Sequence, residues 1–218
     1  MTVLDVRQAY RLWAPTYSEN VITFLDEELA AALSPPLTGK RLLDAGCGTG
    51  RRLARDEAAL AVGVDVSSEM LAAGGATGVA AADIRALPFA ANEFDLVWCR
   101  LVLSYLADPT PAYRELARVC RPGGYLLVTD FHSDAVAAGH KRSFRDAAGA
   151  EHEIESYIHD GVAHSVTAAR AGFALATMLD AVVGPSVEAF YVRAGRAAAY
   201  EKDKGLALVA AFLFRRTE

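Results

Sequence analysis

Two sets of residues in this sequence have types and spacings suited to chemistry. The first is the run Asp44-Ala45-Gly46-Cys47-Gly48-Thr49-Gly50. Glycine is needed where a backbone turns sharply or where a ligand presses against main-chain atoms. A glycine turn leaving an apolar strand is the usual nucleotide-binding edge of a parallel sheet. A second acid, Asp65, ends the next apolar run, at a distance suited to accepting from ribose hydroxyls. The second set is the histidines. All five (His132, His140, His152, His159 and His164) fall in one stretch. Imidazole is the side chain best matched to proton transfer near neutral pH. His132 follows Asp130-Phe131 at a strand end, so His132, or failing that His159, is expected to be a general base or a ligand-orienting group. Metal chemistry is not expected. His159 and His164 are off the helical i,i+4 face, and Cys47, Cys99 and Cys120 have no metal-site spacing. Cys47 and Cys99 read as small fillers at a crowded turn and a strand end.

The elements that must position these residues are legible in the apolar pattern. The runs Arg41–Ala45, Leu60–Asp65, Val79–Ala82, Phe94–Cys99 and Gly124–Phe131 alternate with helical patterns, the signature of βαβ units. They carry little polar alternation, as strands covered on both faces do. Ser67 can cap a helix through Ala72, and Asp108-Pro109-Thr110-Pro111 can open one that runs to Val119. Arg51-Arg52-Leu53-Ala54 reads as a helix start with the two arginines on a solvated face. Before the first strand, Tyr10, Trp13 and Tyr17 surround the helix-breaking Pro15, and Ser18 to Leu33 has helical spacing. Ala174–Val183 and Leu206–Phe214 suit an antiparallel pair, and residues 133–160 look like a polar insertion over the sheet.

The glycine spacing is GxGxG. The dinucleotide fingerprint GxGxxG would place its third glycine at Arg51. Asp44, two residues before the first glycine, would repel a pyrophosphate but suits the positive amino group and sulfonium of S-adenosylmethionine. The loop alone leaves both cofactors open. Taken in order, Trp13–Tyr17, Leu42–Gly50, Val62–Leu71, Ala82-Asp83-Ile84, Leu87-Pro88-Phe89, Phe94–Val97, Glu115–Val119 and Arg121–Gly124 carry a stronger signal. With these motifs the sequence resembles the class I S-adenosylmethionine-dependent methyltransferases, in particular the ubiquinone/menaquinone methyltransferase-like (type 11) family. The likeness covers residues 10–131; from 132 onward it holds only in outline.

The resemblance implies one α/β domain over residues 1–218. Its core would be a doubly wound, mostly parallel seven-stranded sheet of the Rossmann-like methyltransferase kind, with a C-terminal antiparallel hairpin. Residues 1–40 would form a helical flap, 41–131 the cofactor half and 132–218 the acceptor side. The cofactor would be S-adenosylmethionine, leaving as S-adenosylhomocysteine. Gly46, Cys47 and Gly48 would pass beneath its methionine portion, with Asp44 near the amino group and Cys99 contributing backbone. Asp65 would take the ribose hydroxyls, Val66 and Met70 would flank the adenine, and Asp83 and Ile84 would bind its edge. Tyr17 is the aromatic most expected to touch ligand.

Methyl transfer from a sulfonium is an in-line displacement, so the protein must align the acceptor and exclude water. A base is needed only where the acceptor must lose a proton. The expected function is transfer to oxygen or carbon of a small molecule. The alternatives are N-methylation of a small molecule and cofactor binding without transfer. Arg142, Phe144, Glu151, Glu153 and Tyr157 are placed to read the acceptor, and Arg11 and Arg100 to hold an acceptor carboxylate. A net charge of −5 disfavours a nucleic-acid partner. So does Trp98-Cys99-Arg100-Leu101, which stands where the resemblance would put Asn/Asp-Pro-Pro-aromatic in a base-methylating enzyme. With 53% hydrophobic and 22% charged residues the chain can bury a core. No run approaches the about 20 apolar residues of a membrane span, and the start lacks a signal-peptide layout. The expectation is a cytoplasmic protein with reduced thiols.

Overall fold

The aliphatic runs fold as short strands because helices from both sides cover them. The computed structural model describes residues 2–54 and 57–217. In chain order the elements are β1 (Thr2–Leu4), α1 (Val6–Trp13), α2 (Val21–Leu33), β2 (Arg41–Ala45), β3 (Leu60–Asp65), α3 (Ser68–Gly74), β4 (Val79–Ala81), β5 (Phe94–Arg100) and α4 (Thr110–Val119). Then come β6 (Cys120–Phe131), α5 (Ser133–Ala137), β7 (Ser143–Arg145), β8 (Glu151–Ile154), α6 (Gly161–Arg170), β9 (Phe173–Val182), α7 (Glu188–Arg193), α8 (Ala197–Asp203) and β10 (Ala207–Arg216).

Seven strands form one sheet in the order β4-β3-β2-β5-β6-β10-β9. The first five are parallel, and β10 runs antiparallel to β6 and β9. This is the expected doubly wound α/β architecture with its antiparallel C-terminal pair. Successive residues of β5 serve opposite faces: Val97 and Cys99 pack with Tyr113 and Leu116 of α4, Leu96 and Trp98 with Ala30 of α2. The strand β6 begins at Cys120 rather than at Gly124. Pairing with β5 resumes after a register jump between Phe94↔Cys120 and Leu96↔Tyr125, and Gly123, at φ 74°, helps to absorb the extra residues as a bulge.

Local chemistry explains the helix starts. Asn20 caps α2 by accepting from the Ile22 and Thr23 amides, while the Thr23 hydroxyl accepts from the Asn20 amide at 2.9 Å. Ser67 accepts from the Met70 amide at 3.2 Å and so opens α3.

Residues 133–160 hold a feature that periodicity did not reveal. The hairpin β7–β8 takes β1 as a third strand, parallel to β8, with Thr2 opposite His152 and Leu4 opposite Ile154. Strands this short show no alternation, and their parallel partner lies at the other end of the sequence. Ala9, Phe144 and Ile154 close a small core beneath the sheet, with Leu4, Trp13 and Tyr105 packed against it. The same sheet anchors Arg142, whose carbonyl accepts from the Ile154 amide at 2.7 Å.

A buried charge network fastens α2 to the large sheet. Asp26 has no exposed surface. Its carboxylate accepts from Arg100 at 3.1 and 2.8 Å, from Arg52 at 3.3 Å and from the Thr129 hydroxyl at 2.6 Å. Burial alone would push the Asp26 carboxyl up. Arg100 above all, then Arg52 and the hydrogen bonds from Arg100 and Thr129, outweigh it and hold the group below its ordinary range. Glu27 adds a second acid to Arg100 at 2.7 Å. Among the described residues no helix is long and apolar enough to cross a membrane.

Two stability predictions follow from these contacts. Because the folded-state pKa of Asp26 lies below the unfolded one, its contribution is complete above about pH 4 and fades as the pH falls towards the folded value. The urea-unfolding gap between wild type and Asp26→Asn should be about 3 kcal/mol near neutral pH and should shrink in acid; a gap independent of pH would contradict the network. At the start of the cofactor half, a Cβ on Gly74 would stand 1.8 Å from the Thr49 carbonyl oxygen, whereas one on Gly75 would meet open space. Gly74→Ala should cost about 1–3 kcal/mol and displace the glycine turn. Gly75→Ala, strained only by its φ of 60°, should cost about 1 kcal/mol and leave ligand binding at the turn intact. Equal effects of both substitutions on binding would count against that contact.

Candidate active site

In an open parallel sheet the crevice forms beyond the carboxyl ends of the strands, where the order reverses. Here that point lies between β2 and β5. Past Ala45 the chain makes a tight turn in which the Gly46 and Cys47 amides donate to the Val64 carbonyl at 2.8 and 2.9 Å. Gly46 and Gly48 have φ of 89° and 57°. A Cβ on Gly46 would meet Val102 Cγ2 at 2.3 Å, and one on Gly48 would meet Met70 Cε at 3.3 Å. The neighbouring side chains therefore close directly on main chain.

The turn does not lead into the expected α-helix. A single 3₁₀ turn, Arg51–Leu53, follows it, and Ala54 leaves helical geometry at ψ 77°. Arg52 is not on a solvated face. Its guanidinium is drawn inward between two acids without exposed surface, 3.3 Å from Asp26 and 3.3 Å from Asp44. The need of Asp26 and Asp44 for a cation overrides the helical pattern.

A first cleft of about 140 Å³ lies against this turn. Tyr17, Gly46, Cys47, Gly48, Asp65, Val66, Met70, Asp83 and Ile84 line it. Asp44 and Cys99 do not: both are fully buried, and Asp44 stands behind the turn with Arg52. Asp65 accepts from the Gly48 and Ser67 amides at 2.8 Å each, and each carboxylate oxygen retains acceptor capacity. Burial pushes its carboxyl up against the pull of those amides. Asp83 is gripped by Arg85 at 2.6 Å, which holds its carboxyl low. Burial pushes the Cys47 thiol up to about 12 and Cys99 well above its ordinary value, so both remain unreactive thiols. A main-chain cradle that a Cβ would obstruct, beside a carboxylate with acceptor capacity to spare, fits a nucleoside with vicinal hydroxyls.

Aromatics form the opposite wall. Tyr17 sets its ring edge-on to Trp13 at 4.9 Å, and the Tyr10 and Tyr105 hydroxyls meet at 2.9 Å. Burial pushes both Tyr10 and Tyr17 up, so they stay neutral phenols. A second, larger cleft of about 960 Å³ lies on the far side of this wall, with Val21, Ile22, Phe131, Phe190 and Leu208 among its lining. Tyr17, Thr23 and Arg142 border both clefts.

The histidines are dispersed. His132 Nδ1 accepts from the Asp134 amide at 3.0 Å as the cap of α5, and His159 Nε2 donates to the Leu106 carbonyl at 2.8 Å. Neither lines the two clefts. His164 is buried between Tyr113 at 2.8 Å and Asp130 at 3.5 Å. His140 does line the second cleft, with Nε2 3.2 Å from the buried Asp203. Arg100, expected to reach an acceptor, spends its charge on Asp26 and Glu27, and Arg11 lies exposed on α1 away from both clefts. Glu151 and Glu153 pair with Arg145 and Lys141, while Phe144 lines the second cleft. Sequence reasoning missed Val102, Tyr105 and Leu106 in the first cleft. They follow Leu101, a non-glycine residue at φ 59°, which turns the chain across the crevice and has no signature in the sequence.

Residues 43–128 match the family model described as a methyltransferase domain. Among curated proteins, a malonyl-[acyl-carrier protein] O-methyltransferase of Enterobacter lignolyticus is 35% identical over 60% of this chain and 55% of its own length. A 27-O-demethylrifamycin SV methyltransferase of Amycolatopsis mediterranei is 33% identical over 52% of this chain and 46% of its own. The chain thus spans about half the length of the curated relatives it matches. Among solved structures, an S-adenosylmethionine-dependent methyltransferase from Mesorhizobium loti superposes with TM-score 0.68 at 22% identity, covering 88% of this chain and 98% of that one. The [4+2]-cyclase SpnF does so with TM-score 0.66 at 25% identity, covering 97% and 96%. Residues 43–128 thus carry a methyltransferase domain, and the sheet in which they are set has the fold of the S-adenosylmethionine-dependent methyltransferases.

Proposed function

We propose that the protein transfers the methyl group of S-adenosylmethionine to an oxygen of a small-molecule acceptor held in the second cleft. The observation that carries this reading is the junction, because Tyr17, Thr23 and Arg142 border the first and the second cleft alike. When bound, the cofactor supplies a methyl group on a positively charged sulfur. The chain holds the nucleoside through the Gly46–Gly48 main chain and Asp65, and lines the junction with half-buried phenols that keep water away. Oxygen is favoured over carbon and nitrogen by the two relatives whose names specify O-methylation or an O-demethyl substrate.

Where the acceptor must lose a proton, His140 is the better-placed base than His132 or His159. It borders the acceptor cleft, and the buried Asp203, itself bonded to the Tyr191 hydroxyl at 3.2 Å, fixes its Nε2. A second reading rests on the likeness to SpnF, a cyclase on the same fold: the cofactor would be bound without being consumed.

Calorimetry with S-adenosylhomocysteine and a panel of hydroxylated and carboxylated small molecules incubated with methyl-labelled cofactor separate the readings. The expected result is homocysteine-form binding together with label on product oxygen. Tight binding with no labelled product across the panel would favour the second reading. His140→Ala should lower kcat by about 10²–10⁴, and His132→Ala and His159→Ala by less than about tenfold. A loss under tenfold in His140→Ala would remove that residue from proton transfer.

A further inference from the structure

Among the described residues, Arg142 is a buried cation without a counter-ion. It is 9% exposed, and its Nη2 donates to the Tyr105 hydroxyl at 2.5 Å. The guanidinium lies over the rings of Tyr105 at 5.4 Å and Phe131 at 5.8 Å. Among the described residues no carboxylate stands within ion-pair distance of it. Its chain neighbours differ: Lys141 pairs with Glu153 at 2.8 Å and Arg145 with Glu151 at 3.0 Å. Two other arginines of the first cleft, Arg52 and Arg100, hold Asp44, Asp26 and Glu27. Asp130 is felt by Arg142 only as a more distant charge, and it faces His164.

A cation taken out of water and left without an acid is costly, and such groups are normally paired. Two features show where the missing partner belongs. Arg142 borders both clefts, and among the described residues its remaining guanidinium donors make no hydrogen bond. A planar fork of donors matches a carboxylate. Lys141, Arg145, Arg193 and Arg196 also line the second cleft, but they are exposed to water, whereas Arg142 is buried among aromatic rings at the junction, where its one charge matches a monoanion better than a phosphate dianion.

We propose that the acceptor is a carboxylic acid, seated with its carboxylate on Arg142 and its apolar body along Val21, Ile22, Phe131, Phe190 and Leu208 of the second cleft. Its role as acceptor rests on the methyl-transfer reading above; the binding of the acid does not. The aromatic faces of Tyr105 and Phe131 hold the guanidinium in place before the acid arrives, so little side-chain freedom is lost on binding.

The test uses the full chain saturated with S-adenosylhomocysteine and titrated with octanoate, octanamide or octyl phosphate. Octanoate should bind at least about tenfold more tightly than octanamide, the difference expected of a hydrogen bond to a charged group. Arg142→Gln should bring that ratio close to one, and Arg142→Lys should retain part of it. Equal binding of acid and amide by the wild type would overturn the proposal without recourse to any variant. So would a preference that survives in Arg142→Gln, or tighter binding of octyl phosphate than of octanoate. A fall in S-adenosylhomocysteine affinity in Arg142→Gln, with no acid preference in the wild type, would assign the guanidinium to the cofactor's own carboxylate. A wild-type protein that binds octanoate as described but not S-adenosylhomocysteine would instead remove the methyltransferase reading and leave the acid site standing.

Discussion

A carboxylate with no exposed surface stays ionised only where cations and hydroxyls surround it, and Asp26 meets that condition through Arg100, Arg52 and Thr129. The geometry this imposes reaches well beyond the ion pairs. Asp26 sits on α2, Arg100 ends β5, Thr129 is on β6, and Arg52 follows the glycine turn. Their convergence therefore fixes the N-terminal helix against the carboxyl ends of the strands and pulls the residues after Gly50 inward. The absence of a full helix after the glycine turn, the sealed position of Asp44 and the placing of Thr23 at the cleft junction all follow from it. Buried ion pairs of this kind add little net stability compared with a well-packed apolar core, but they tolerate few alternative arrangements. Here they specify how the preface docks.

The same network divides the charges between scaffold and ligand. Arg52, just past the glycine turn, and Arg100, at the end of β5, are consumed by acids of α2 and β2. Asp65 lines the first cleft and Arg142 the junction, and no acid holds Arg142 among the described residues. Asp65 is delivered by the end of a sheet strand and Arg142 by a hairpin of three- and four-residue strands stapled to the N-terminus.

The sheet was legible because β2 and β3 are uniform apolar runs closed by a glycine turn and an acid, and because Ser67 and the Pro122-Gly123-Gly124 turn punctuate them. Much of the lining of the first cleft was legible for the same reason: Gly46, Gly48, Asp65, Met70 and Asp83 are tied to element ends that the pattern locates. The rest depends on long-range pairing. Nothing near Arg52 in the chain shows that Asp26 will claim it, so a local helix reading prevailed at Arg51. The clustering of histidines in sequence likewise hid their separation in space. His132 and His159 are spent on a helix cap and a carbonyl, His164 is buried in the core, and only the long-range contact with Asp203 brings His140 to a cleft. The short strand β1 finds its partner, β8, far along the chain, which periodicity cannot report.

The account turns on two clefts meeting at Tyr17, Thr23 and Arg142. A crystal structure of the protein with S-adenosylhomocysteine tests it most directly. It predicts the ribose hydroxyls on Asp65 and the sulfur facing the junction, with the second cleft open before it. A sulfur directed away from Tyr17 and Arg142, or a ligand bound outside the Gly46–Gly48 turn, would contradict it.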